Sequence, residues 1–166
     1  MKNKTGKRIE FLTSVMNGLK SKDIYDVIDY HSKDESEIKT FMYPYLIKEL
    51  TEYYGSEKKA KKNLLWEGNK QTTVNNMTFF GVQHRPDMVI NGGLSIAVEI
   101  KKGDAGSAIR EGIGQAMVYS TIYDFVLYLF IDISKDKKIK NTVTAENELK
   151  FAKDLWKNYN IIFEVI

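Results

Sequence analysis

The chain has 166 residues, 43% of them apolar and 12% aromatic, with a formal net charge of +3. Such a length and composition suit one domain with a core of its own and argue against disorder. The absence of cysteine excludes disulfides, thiolate zinc sites and cysteine-ligated iron–sulfur clusters, and two histidines, His31 and His84, are too few for a histidine-rich metal site.

No apolar run reaches membrane-spanning length and the N-terminus carries no signal-peptide core, so the expectation is a cytoplasmic protein with no membrane partner. A mild basic excess permits a polyanionic partner without demanding one. The lysines gather in two groups, Lys58, Lys59, Lys61 and Lys62, and Lys135, Lys137, Lys138 and Lys140. A lysine run is usually a solvated face, so each group weighs little by itself.

In chain order, Ile9, Leu12, Met16 and Leu19 recur at helical spacing and predict an amphipathic helix from about Lys7 to Leu19. Ile24, Val27 and Ile28 suggest a second, short helix. Residues 1–33 thus form a helical extension and 34–166 a core, within a single domain. The run Ser32-Lys33-Asp34-Glu35 resembles a capping box, with a helix following to about Tyr54 and Gly55 as its stop. Its inner stripe reads as Ile38, Phe41, Met42, Tyr45, Leu46 and Leu50. Pro44 should kink the helix or mark a late first turn. Glu37, four and eight residues before Phe41 and Tyr45, shares their side. It is either an inward carboxylate or a first-turn glutamate favoured by the helix dipole.

Ser56–Asn63 reads as a short lysine-rich helix. Asn63–Trp66 and Thr72–Val82 read as strand material, with a turn at Asn75-Asn76. Asp87–Ile90 and Leu94–Lys101 then form a hairpin around Asn91-Gly92-Gly93, where glycine tolerates positive φ. Alternation along the second strand sends Glu99 and Lys101 to one face and Ile100 to the other. Pairing brings Asp87 beside Glu99. Two carboxylates about 4 Å apart repel by roughly 4 kcal/mol at an effective dielectric of about 20. A divalent cation reverses that sign, and an all-oxygen donor set suits Mg²⁺ or Mn²⁺. The plainer alternative is an edge hairpin with solvated charges. His84 and Arg85, just before the hairpin, are candidates for a phosphate contact.

Ser107 to about Tyr123 predicts a helix with Ile109, Ile113, Ala116, Met117 and Ser120 on one side. Gly112 and Gly114 allow close approach of a backbone or ligand, and Gln115 and Tyr119 share a flank. Phe125–Ile133 is continuously apolar, as in an interior strand buried on both faces. A lysine-rich loop follows. Thr144 is the expected N-cap of a helix from Ala145 to about Asn158, ended by Asn160. Ile161–Ile166 is a last strand. The whole predicts a mixed α/β sheet with helices on both faces.

Pro86-Asp87 and, twelve residues on, Glu99-Ile100-Lys101 resemble the signature of the PD-(D/E)XK nuclease superfamily. Gln115-Ala-Met-Val-Tyr119 resembles the Gln-x-x-x-Tyr motif of its RecB-like and exonuclease-like branch, and the run from Glu37 through Pro44 to Leu50 is similar to its first core helix. The resemblance covers roughly Glu37–Ile133 and implies a restriction-endonuclease-like sheet flanked by helices. It implies a Mg²⁺- or Mn²⁺-dependent deoxyribonuclease in which Asp87, Glu99 and the carbonyl of Ile100 bind metal, and Glu37 a second metal or its water. Lys101 would position or help deprotonate the attacking water and stabilise phosphate charge. Gln115 and Tyr119 would hold the nucleic-acid backbone or orient the site. DNA is the expected partner, with RNA, a homo-oligomer or a protein partner left open, as is endonuclease against exonuclease action. The alternatives are an inactive nucleic-acid-binding or assembly protein on the same fold, and an unrelated small α/β protein.

Overall fold

A computed structural model describes residues 6–21, 24, 28–67 and 73–166. Helix α1, Lys7–Leu19, forms where the apolar spacing predicts it. It buries Phe11, Leu12, Val15 and Leu19 against the next helix and the sheet, so it belongs to the main core rather than to a separate surface. Most of the expected second helix lies outside the described residues. Ile24 and Ile28, which are described, are buried in the same core.

Helix α2, Glu35–Tyr54, runs through Pro44 and stops at Gly55 in the left-handed conformation. Its capping box is not the one at Ser32 and Glu35. The N-cap is Asp34, whose Oδ1 accepts from the Glu37 amide at 2.8 Å while Glu37 Oε2 accepts from the Asp34 amide at 3.0 Å. The same Asp/Ser-x-x-Glu chemistry fits two registers, and Ser32 instead donates to the Asp29 carbonyl. The buried stripe is Ile38, Lys39, Met42, Leu46, Ile47 and Leu50; Phe41 and Tyr45 are only half-buried.

Helix α3, Glu57–Asn63, leads into strand β1, Leu64–Trp66. Thr72 lies outside the described residues. The turn expected at Asn75-Asn76 falls instead at Phe80-Gly81, between β2, Met77–Phe79, and β3, Val82–His84. Both turn residues have positive φ, 50° and 76°, which matches the twist of a two-residue hairpin. This ribbon is separate from the main sheet.

Strands β4, Met88–Asn91, and β5, Ser95–Gly103, form the expected hairpin, with Gly93 at φ 80° in its turn. Helix α4, Gly106–Ser120, crosses to β6, Phe125–Asp132. The lysine-rich loop contains a short helix, α5, Lys138–Thr142, and α6, Glu146–Asp154, starts from Ala145 rather than from a Thr144 cap. A π turn, Leu155–Tyr159, and a left-handed Asn160 lead into β7, Ile161–Val165.

The main sheet has the order β1-β4-β5-β6-β7. Strands β1, β4 and β5 pair antiparallel, whereas β5, β6 and β7 pair parallel, so β5 is the pivot of a mixed sheet. Strand β6 is buried throughout. Phe125, Leu127, Leu129 and Ile131 face α1 and α2, and Val126, Tyr128 and Phe130 face the other layer with Ala116 and Tyr119 of α4. The inward face of α4 is Gly112, Ala116 and Tyr119, not one carrying Met117, which is exposed. A Cβ on Gly112 would lie 2.3 Å from the Tyr128 ring, so the close approach there is to the core. Among the described residues no helix is long and apolar enough to cross a membrane.

Candidate active site

The site grows out of the end of the β4–β5 hairpin. The register pairs Met88 with Val98, so one step further Asp87 stands opposite Glu99. Directly opposed residues share a face of the sheet, with Cβ atoms roughly 5 Å apart. Pro86 has no N–H, and the backbone ladder ends there. The next β5 amide, Ile100 N–H, donates instead to Asp87 Oδ2 at 2.7 Å. The Ile100 side chain is buried in the core on the α1–α2 side.

Glu99 is 2% exposed. Its Oε1 meets Lys101 Nζ at 3.2 Å, while Oε2 is buried with no hydrogen-bond partner. Burial, reinforced by the charge on Asp87 and opposed by Lys101 and the Tyr119 hydroxyl, pushes the Glu99 carboxyl up to about 7. Lys101 behaves oppositely. Burial works against its charge, but Glu99, Glu35 and Asp87 outweigh burial and hold its pKa above the ordinary lysine value. It is therefore a standing cation. Glu111 also lies 4.0 Å from it.

Tyr119 is buried beneath the site and donates its hydroxyl to the Arg85 carbonyl at 3.0 Å. Its ring is 1% exposed, and this bond ties it to the segment that leads to Asp87. Gln115, one turn earlier, has a buried Oε1 with no partner. His84 closes β3, and Arg85 is exposed with its guanidinium on Glu67 at 3.1 Å.

Glu37 requires a correction. Its carboxylate is spent on the helix cap and on Lys33 Nζ at 2.9 Å, and it lies half-exposed beside an open groove with Phe41, Pro44 and Tyr45. The α2 carboxylate near Lys101 is Glu35, whose Oε1 accepts the Lys102 amide at 2.9 Å. Two further groups escaped the sequence reading. Lys39, also on α2, is buried and meets Asp87 Oδ1 at 2.8 Å, and it bonds Glu67 as well. The signal for Glu35 and Lys39 was in the stripe itself, since Glu35, Ile38, Lys39 and Met42 follow helical spacing, whereas Glu67 lies beyond the helix and had no such signal. Phe41 and Tyr45 drew the stripe towards the wrong side.

The donor set fits a hard divalent cation at one position. Two adjacent carboxylates offer oxygen ligands, and Glu99 Oε2 is an orphaned buried acceptor that a cation would satisfy. Among the described residues no group of three or more acidic or histidine side chains gathers into a metal-binding cluster. Asp87 and Glu99 would therefore need oxygens from backbone, water or substrate to complete a shell.

Fold and site together define an α/β protein with a mixed five-stranded sheet flanked by helices, carrying two carboxylates and a lysine at its pivot strand. No family model matches the chain, and no curated protein or solved structure matches it significantly.

Proposed function

We propose that the protein is a divalent-cation-dependent nuclease of the restriction-endonuclease-like fold, hydrolysing phosphodiester bonds of DNA with Mg²⁺ or Mn²⁺. The observation that carries this reading is the juxtaposition of Asp87, Glu99 and Lys101 on one face at the end of β4 and β5, with Glu99 Oε2 left without a partner. A cation bound there would lower the pKa of a water and neutralise phosphoryl charge.

The chain's own residues have separable tasks. Asp87 and Glu99 bind the cation, and the Ile100 carbonyl is a further ligand. Asp87 is aimed by the Ile100 amide, and its segment is fixed by Tyr119. Lys101 keeps its proton, so it stabilises negative charge developing on the phosphate rather than serving as the base. Glu35 takes the part expected of Glu37 beside Lys101. Gln115 orients the site, and His84 and Arg85 contact the strand.

A second reading is a nucleic-acid-binding protein without catalysis. The contact of Lys39 with Asp87, where a cation would sit, favours it. Incubation of linear and circular DNA with Mg²⁺ or with EDTA separates the two. Metal-dependent cutting is expected, and cutting of circles identifies an endonuclease. Intact DNA, RNA and branched substrates in Mg²⁺ and Mn²⁺, with binding retained, would leave the second reading standing.

A further inference from the structure

Beside the carboxylate pair, between α2 and the end of β1, lies a cavity of about 220 Å³ lined by Ser36, Lys39, Trp66, Glu67 and Arg85. Its charges form a relay from the buried site to the surface. Asp87 Oδ1 meets Lys39 Nζ at 2.8 Å, Lys39 also bonds Glu67 Oε1, and Glu67 Oε2 meets Arg85 at 3.1 Å. The Lys39 side chain is 8% exposed, whereas those of Glu67 and Arg85 are 30% and 41% exposed.

Asp87 already compensates Lys39. Glu67 is a second anion, and it bridges that lysine to an arginine whose side chain is 41% exposed. A planar guanidinium and an ammonium converging on one pair of oxygens form the donor arrangement that a phosphate accepts. Glu67 is more exposed than Asp87 and follows β1 directly, and Arg85 is the most exposed group of the relay, so an incoming anion meets the guanidinium that Glu67 occupies. Trp66 adds an aromatic wall, held in place by stacking on Tyr43 with ring centroids 4.8 Å apart. Aromatic faces of this kind take bases or sugars regardless of sequence.

We infer that this cavity is a phosphate subsite for a nucleic-acid strand, in which Glu67 is a resident anion displaced by the strand's phosphate while the adjoining nucleotide lies against Trp66. The inference rests on the nuclease reading for the choice of polymer.

The test measures binding in EDTA, where the proposed cutting is off, by Trp66 fluorescence in a Trp156→Phe background that leaves one tryptophan of two. The probes are inorganic phosphate, a deoxynucleoside monophosphate and a single-stranded oligodeoxynucleotide. The oligonucleotide should change Trp66 emission. Glu67→Gln should bind it about tenfold tighter, and Arg85→Ala about tenfold weaker. Unchanged or weaker binding by Glu67→Gln, no binding at all, or binding that leaves Trp66 unmoved would overturn the subsite. Inorganic phosphate binding as tightly as the oligonucleotide would overturn its assignment to a strand. A protein that behaves as expected in EDTA yet cuts nothing in Mg²⁺ keeps the subsite and loses the nuclease reading. Cutting in Mg²⁺ with no effect of Glu67→Gln on binding does the reverse.

Discussion

Lys39 of α2 and Asp87, just before β4, 48 residues apart in the chain, meet at 2.8 Å with side-chain exposures of 8% and 13%. A lysine of α2 thus holds the carboxylate that the hairpin presents to the site. Removing one partner of a buried pair strands the other charge, typically at a cost of about 3 kcal/mol or more. Lys39→Met should therefore lower stability by about 3 kcal/mol in EDTA, read by urea denaturation, and Mn²⁺ should recover part of the loss. A loss below about 1 kcal/mol would mean that the pair is screened like a surface contact.

Glu99 titrates near 7 in the folded protein, against 4.5 for a free glutamate. Between those values the folded protein holds a proton that the unfolded chain has released. Stability in EDTA therefore falls as pH rises from 4.5 towards 7 and levels off above. Glu99→Gln lacks this loss and should exceed the wild type in stability by a few kcal/mol at about pH 8. Parallel stability curves for the two proteins across that range would contradict the raised pKa.

Cation binding requires the ionised form of Glu99. Mn²⁺ should raise the wild-type melting temperature clearly at about pH 8 and little at about pH 5.5, because protonation of Glu99 weakens binding and a ligand stabilises little once its concentration no longer exceeds its Kd. Glu99→Gln should lose the shift at both values. Equal shifts in the variant would place the cation elsewhere.

Glu35 and Glu37 make opposite predictions. Glu37 serves the α2 cap, so Glu37→Ala should cost about 1 kcal/mol of stability and leave cleavage within about twofold. Glu35→Gln should slow cleavage by about tenfold or more, since Glu35 braces the Lys102 amide and adds negative charge near Lys101. Kinetics of the two variants on one DNA substrate decide between them.

Much of this arrangement was legible in the sequence where a strong period or a local turn fixed it. Strand β6 announced burial on both faces by its unbroken apolar run, and the hairpin register followed from alternation around Asn91-Gly92-Gly93. That register is what sets Asp87 opposite Glu99. The helix glutamate was misread because Phe41 and Tyr45, amphipathic in position, were counted as core, which turned the inward face of α2 away from Glu35 and Lys39. The pairing of Lys39 with Glu67 was hidden for a different reason. Their partnership depends on β1 lying beside β4, a tertiary contact that no local pattern encodes.

Gly112 illustrates the same limit. Its sequence context allows close approach of another backbone or a ligand, whereas it is the Tyr128 ring that fills that space. Gly112→Ala should destabilise by about 1–3 kcal/mol through overpacking, despite a gain in helix propensity of about 1 kcal/mol. Gly114→Ala, with no atom within 4 Å of an added Cβ, should stabilise slightly. Thermal denaturation of the two variants checks the contrast.

The most direct test of the central claim is cleavage of linear DNA in Mn²⁺ by the wild type and Glu99→Gln side by side, with both proteins verified as folded. Cutting by the wild type and a loss on the order of 10²–10³ in the variant are expected. Equal cutting by the two proteins would contradict the assignment of Glu99, and with it the catalytic role of the carboxylate pair.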